Sequence, residues 1–314
     1  MVPIPASDCS RRKSPAISGA GDEPGGNPRA AHNRKPGEIM IEDWTDAYAN
    51  TPHIPGGAAY PDAWAREAAA FRARAGLRAR LDLAYGAGSR LRADLFLPKG
   101  TPRGLAVFVH GGFWMQFGKD WWSHLAAGPL ARGWAVAIPQ YALAPDARIH
   151  EITGQIAAAL VRLGDEVAGP ILLAGHSAGG HLVTRMVCRD VALPDALRAR
   201  IRHVLSISGL HDLRPLLRTD LNAGLRLDAA EARAESPALA EPVPGTRMTA
   251  WVGGAERPEF IRQSALLANI WTGLGAATRA VEDPGRHHFD VVAPLSDPDS
   301  ALCRAFCAEI AAMP

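Results

Sequence analysis

The sequence has little cysteine, no long apolar run and almost no net charge, and each shortage removes a class of protein. Four cysteines in 314 residues, Cys9, Cys188, Cys303 and Cys307, are too sparse for a disulfide framework. Cys303 and Cys307 stand one helical turn apart, but no CxxC and no neighbouring histidine completes a metal set. Reduced, buried thiols are therefore expected, with no metal and no other cofactor. No apolar stretch approaches the roughly 18 residues of a membrane span, so no membrane partner is expected. The amino terminus carries charge and proline where a secretory signal needs an apolar core, which makes the cytoplasm the default compartment. A formal net charge of +2 gives no reason to expect nucleic acid. A small molecule is the expected partner, with a homodimer as a candidate assembly.

What is present divides the chain in two. Residues 1–39 are rich in Gly, Pro, Ser and charge without an apolar period. Such a segment cannot offset its own ordering entropy and is expected to be a disordered tail. Met40 opens the first folded-looking stretch, and it is expected to be the true start, with the tail as an extension. Residues 40–314 then read as a single domain.

Within that domain Arg80–Tyr85 and Leu91–Leu97 flank GAGS and read as a hairpin. Short apolar runs follow at Leu105–Val109, Ala135–Ile138, Ile171–Ala174, Val204–Ile207, Met248–Val252 and Thr278–Val281. Their length and lack of polar alternation suit strands covered on both faces. Ile152, Ile156, Ala159, Leu160, Leu163 and Val167 recur at helical spacing, as do Leu182, Val183, Met186 and Val187, and a last helix is expected over Ala301–Ala312. The pattern predicts an α/β fold with one mostly parallel sheet and helices on both faces. The polar, Ala-rich stretch 214–241 reads as a small cap inserted over the site.

The strongest local signal is the run ILLAGHSAGGHL, in which Gly175-His176-Ser177-Ala178-Gly179 joins an apolar strand directly to a helical pattern. A serine hydroxyl is a poor nucleophile unless it projects beside a base and an oxyanion donor. A sharp strand-to-helix turn with small flanking residues provides that projection. The bare GxSxG pattern is weak by itself; its coincidence with strand and helix makes it specific.

Upstream, Leu105–Val109 runs into His110-Gly111-Gly112-Phe113-Trp114. A glycine loop after an early strand can offer main-chain N–H groups to a developing oxyanion. The donors are assigned to the amides of Gly112, Phe113 and Ala178. With the strand, elbow and loop in this order the fold is that of the α/β-hydrolases, whose triad order is serine, acid, histidine.

Four histidines lie beyond the elbow helix. His203 precedes a strand and His211 comes before any acid loop, whereas His287 and His288 follow the last strand, where a base belongs. The acid should follow the penultimate strand. Gly253-Gly254-Ala255-Glu256-Arg257-Pro258-Glu259 offers no aspartate there; Glu256 is the better candidate and Glu259 the second.

HGGFW, GHSAGGHL, SGLHDLRPLL, GGAERPEFIRQS and HHFD together resemble the arylformamidase (kynurenine formamidase) branch of the α/β-hydrolases, from about Trp44 to the carboxyl terminus. The resemblance implies Ser177 as nucleophile, Glu256 as acid in a slot where relatives often have Asp, and His288 rather than His287 as base. It implies hydrolysis of N-formyl-L-kynurenine to kynurenine and formate without a metal. Phe113 and Trp114 would then shape a formyl pocket, with Trp114 as a substrate-binding residue. Trp121, Trp122 or cap residues would stack on the aryl ring, and Arg214, Arg218 and Arg226 are candidates for the carboxylate. A carboxylesterase for small acyl or aryl esters is the alternative reading. A non-catalytic binding protein on the same fold is a third, against which the full set of catalytic parts argues.

Overall fold

The computed structural model describes residues 40–307. The expected tail, Cys9 and the end of the expected Ala301–Ala312 helix lie outside the described residues. Eight strands form one sheet: β1 (Ala79–Ala84), β2 (Arg92–Phe96), β3 (Leu105–Val109), β4 (Ala135–Pro139), β5 (Ile171–His176), β6 (Ile201–Ile207), β7 (Arg247–Gly253) and β8 (Ala277–Asp283). Their order is β1-β2-β4-β3-β5-β6-β7-β8. β1 and β2 form the antiparallel hairpin, β2 meets β4 antiparallel, and every pairing from β4 to β8 is parallel.

The central strands are apolar throughout because both faces are covered. In β3, Leu105, Val107 and Val109 join the core on one side of the sheet, and Ala106 and Phe108 the core on the other. Alternation of successive side chains across a strand produces this division. The helix Ile149–Gly164 lays Ile149, Ile152, Ile156, Leu160 and Leu163 on the first core. Each such side chain contributes about 1.5–3 kcal/mol of burial. Val167 is buried beyond the end of that helix, and Met186 and Val187 just beyond the elbow helix Ala178–Arg185.

One strand departs from the expectation of cover on both faces. β8 closes the sheet as an edge strand with mostly exposed side chains, and its Arg279, Glu282 and Asp283 keep that edge charged. At the opposite edge, β1 bulges between Arg80 and Leu83, with Asp82 at φ 57°. Buried Lys119 holds the bulge through Asp82 at 2.8 Å and Asp94 at 2.9 Å.

The inserted stretch 214–241 forms short helical turns at Arg214–Arg218, Asn222–Leu225, Ala229–Ala234 and Pro237–Leu239. Acidic side chains tie it down: Glu231 accepts from Arg148 Nε at 2.8 Å, and Glu235 from the Thr153 hydroxyl at 2.6 Å. Among the described residues no helix is long and apolar enough to cross a membrane.

Candidate active site

Ser177 sits between the last residue of β5 and the first of the elbow helix, with φ 56° and ψ −120°, a conformation few L-residues adopt. Packing enforces it. A Cβ on Gly179 would lie 2.0 Å from the Val109 carbonyl oxygen, so the elbow helix rests directly on β3. The Ser177 N–H donates to the Ile207 carbonyl at 2.8 Å, which ties the elbow to β6 as well.

The glycine loop after β3 lies against this elbow. A Cβ on Gly111 would stand 2.9 Å from Ser177 Cβ and 2.8 Å from the His176 carbonyl oxygen. Gly112, Phe113 and Trp114 then run through positive φ values of 106°, 50° and 58°. His110 anchors the loop: its Nδ1 donates to the Gly111 carbonyl at 2.8 Å and its ring stacks on Tyr141, 4.4 Å between centroids. Burial holds His110 neutral, with its pKa lowered to about 4. Ala178, first in its helix, has no intrahelical acceptor for its N–H.

Glu256 and His288 meet in a buried pair. His288 Nδ1 is 2.6 Å from Glu256 Oε2, and the two side chains are 4% and 0% exposed. Glu256 Oε1 accepts from the Gly253 N–H at 2.8 Å and from the Ser208 hydroxyl at 2.5 Å. The His288 ring packs on Phe260 at 4.4 Å and on His176 at 4.7 Å. His176 Nε2 donates to the His288 carbonyl at 2.9 Å, and burial, followed by the nearby His288, pushes its pKa well below the usual value.

The other candidates are elsewhere. Glu259 binds the Tyr48 hydroxyl at 2.7 Å, with Arg262 and Gln263 on the same carboxylate. His287 Nε2 faces the Tyr60 hydroxyl at 3.1 Å. His203 meets Thr249, and buried His211 lies 3.3 Å from Ser206 Oγ.

Ser177 and His288 line one cavity of about 650 Å³. Tyr48, Trp64, Phe113, Phe117, Trp122 and Phe289 give it aromatic walls, and Asp220, Leu221 and Gly224 of the inserted stretch close one side. Trp114 is a correction to the expected substrate contacts. Its side chain is wholly buried, edge-on to His181 at 5.1 Å, because the positive-φ turn directs it inward while Phe113 faces the cavity. Trp122 lines the cavity and Trp121 does not. The three arginines are also elsewhere: Arg214 pairs with Asp212 at 2.8 Å, Arg218 covers the Trp44 ring, and Arg226 does not line the cavity. Among the described lining residues there is no Lys or Arg, and Asp220 is the one carboxylate.

The sequence reading missed the wall built by residues 45–64, along with Ser208 and His176. Tyr48 and Trp64 reach the cavity through packing with distant parts of the chain, and no local motif marks them. His176 stands inside the elbow motif, and Ser208 directly follows an expected strand; both were legible as positions but not as contacts.

Comparison with known proteins gives a consistent result. A family model described as alpha/beta hydrolase fold matches residues 106–289, more than half of the chain. A kynurenine formamidase of Danio rerio is 26% identical over 242 residues, covering 74% of this chain and 82% of that protein. One from Drosophila melanogaster is 29% identical over 239 residues, covering 71% and 78%. A crystal structure from Silicibacter sp. TM1040, described provisionally as a thioesterase, is 52% identical with a TM-score of 0.81, covering 86% of this chain and 100% of that one. A Pyrobaculum calidifontis esterase shares the fold, with a TM-score of 0.60 at 18% identity over 78% of this chain and 90% of that one.

Proposed function

The chain belongs to the alpha/beta hydrolase fold family, and from that premise we propose that this hydrolase works through Ser177, His288 and Glu256 by an acyl-enzyme route. The buried pairing of His288 with Glu256 on the cavity that Ser177 lines carries the reading. Ser177 Oγ attacks the substrate carbonyl carbon while His288 Nε2 takes the hydroxyl proton. Glu256 holds the imidazole tautomer through Nδ1 and stabilises the imidazolium. The amides of Gly112, Phe113 and Ala178 bind the oxyanion. His288 returns the proton to the departing amine or alcohol as the carbonyl–leaving-group bond breaks. A water activated by the same imidazole then releases the acid and frees Ser177.

The substrate proposed is a small acyl group on an aryl amine, of which N-formyl-L-kynurenine is the example. The aromatic cavity walls suit an aryl leaving group, and similarity to curated kynurenine formamidases supports the formyl group. A second reading, cleavage of uncharged small acyl or aryl esters, is favoured by one observation: among the described lining residues Asp220 is the charged side chain, and a carboxylate repels that of kynurenine. The free thiols Cys188, Cys303 and Cys307 suit a cytoplasmic setting.

Kinetics on N-formyl-L-kynurenine beside p-nitrophenyl acetate separate the two. A kcat/KM for deformylation at or above that for the ester supports the first reading. Brisk ester cleavage without kynurenine formation overturns it in favour of the second.

A further inference from the structure

We infer that Ser208 is a positioning residue for the reaction, aiming Glu256 at His288. The inference rests on the triad reading above and adds a residue to it.

Three observations carry it. First, Glu256 is a glutamate whose side chain is wholly buried, and a glutamate has one more torsion to fix than an aspartate. Two donors on one oxygen fix that torsion: the Gly253 N–H at 2.8 Å and the Ser208 hydroxyl at 2.5 Å both reach Oε1, which leaves Oε2 to His288 Nδ1 at 2.6 Å. Second, Ser208 holds φ at 51°, a left-handed conformation that glycine adopts far more easily. Third, Ser208 is fully buried directly after β6, and its N–H donates to the Trp251 carbonyl at 2.7 Å, which fixes the residue against β7. A strained backbone that persists where glycine would relax it points to a use for the side chain, and the Ser208 hydroxyl is spent on Glu256.

Ser208→Gly tests this because it separates folding from positioning. The substitution relieves the backbone while removing the hydroxyl. Steady-state kinetics with p-nitrophenyl acetate and a thermal melt are measured on Ser208→Gly, Ser208→Ala and Glu256→Gln beside the parent protein. The expected result is a fall in kcat of about tenfold to a hundredfold for both Ser208 variants. KM stays within about twofold, and Ser208→Gly melts no lower than Ser208→Ala, because both lose the hydroxyl while glycine relieves the left-handed backbone that alanine keeps. Should Ser208→Gly fail to melt cooperatively, Ser208→Ala carries the same reading, since its backbone demand equals that of serine less the bond.

Parental kcat in the Ser208 variants beside an inactive Glu256→Gln overturns the inference and leaves the triad reading standing. A kcat loss that comes with a raised KM and a lowered melting temperature also overturns it, because that is a structural role. Parental kcat in Glu256→Gln overturns the triad reading itself, and this inference with it.

Discussion

The Tyr48 hydroxyl donates to Glu259 Oε1 across 2.7 Å, joining residues 211 positions apart, and that bond fixes the amino-terminal cavity wall to the helix Pro258–Gly273. Glu256, three residues before Glu259, is turned instead to His288. Two glutamates on one short stretch thus have different partners: Glu259 joins the Tyr48 network, and Glu256 makes the His288 pairing on which the proposed triad rests.

Substitution at the two positions should separate those roles. Glu256→Gln is expected to lower kcat by about 10³–10⁴ with the melting temperature little changed, since a neutral amide favours the wrong imidazole tautomer. Glu259→Gln should keep kcat within a few-fold and lose about 1–2 kcal/mol of stability as the buried Tyr48 and Gln263 and the partly exposed Arg262 lose their shared carboxylate. Steady-state kinetics and urea titration of both variants check this; the reverse pattern reassigns the acid.

Gly111→Ala should cost about 10²–10³ in kcat, comparable to losing an oxyanion donor. The added methyl would stand 2.8 Å from the His176 carbonyl oxygen and 2.9 Å from Ser177 Cβ, so the loop must move away from the serine. Kinetics with a small aryl ester read the loss, and a variant with parental kcat contradicts the placement of the loop.

The two tryptophans should behave differently. Both are buried in the core, but Trp122 also lines the cavity and Trp114 does not. Trp114→Ala is expected to cost about 3–5 kcal/mol of stability as a cavity opens. Trp122→Phe, which keeps an aromatic ring, should act chiefly by raising KM for aryl substrates. Denaturant midpoints and KM values for the pair distinguish the roles.

Stability should fall in mild acid. Burial lowers the pKa of His110 to about 4 and those of His181 and His211 to about 3, from an ordinary 6.5. Below pH 6.5 the unfolded chain binds protons that the folded protein refuses. Unfolding therefore takes up protons and stability drops as pH falls from 6.5 toward 4. Each such histidine contributes a slope of about 1.4 kcal/mol per pH unit in that window. Urea midpoints between pH 7.5 and 4.5 check the trend; a midpoint that holds constant over that range contradicts it.

Much of the architecture was readable before any coordinates. β3, β4 and β5 coincide with apolar runs, and β6 and β7 contain them, because the stretch of a strand covered on both faces has little room for polar alternation. β8 differs from them: Arg279, Glu282 and Asp283 flank its short apolar kernel at Ala280 and Val281, and that charge goes with its place at the edge. The elbow and glycine loop were legible because close main-chain contact dictates their residues. Trp114 misled by adjacency: a side chain next to a site in sequence is turned away by the run of positive φ at Gly112, Phe113 and Trp114. The Tyr48 wall and the Ser208 bond arise from contacts between distant segments, and the sequence carries no period or spacing for those.

The most direct test is covalent. A fluorophosphonate probe, followed by peptide mass spectrometry, should place a single adduct on Ser177, and labelling should slow at least a hundredfold in His288→Ala and vanish in Ser177→Ala. An adduct on another residue, or turnover that survives Ser177→Ala, would contradict the account.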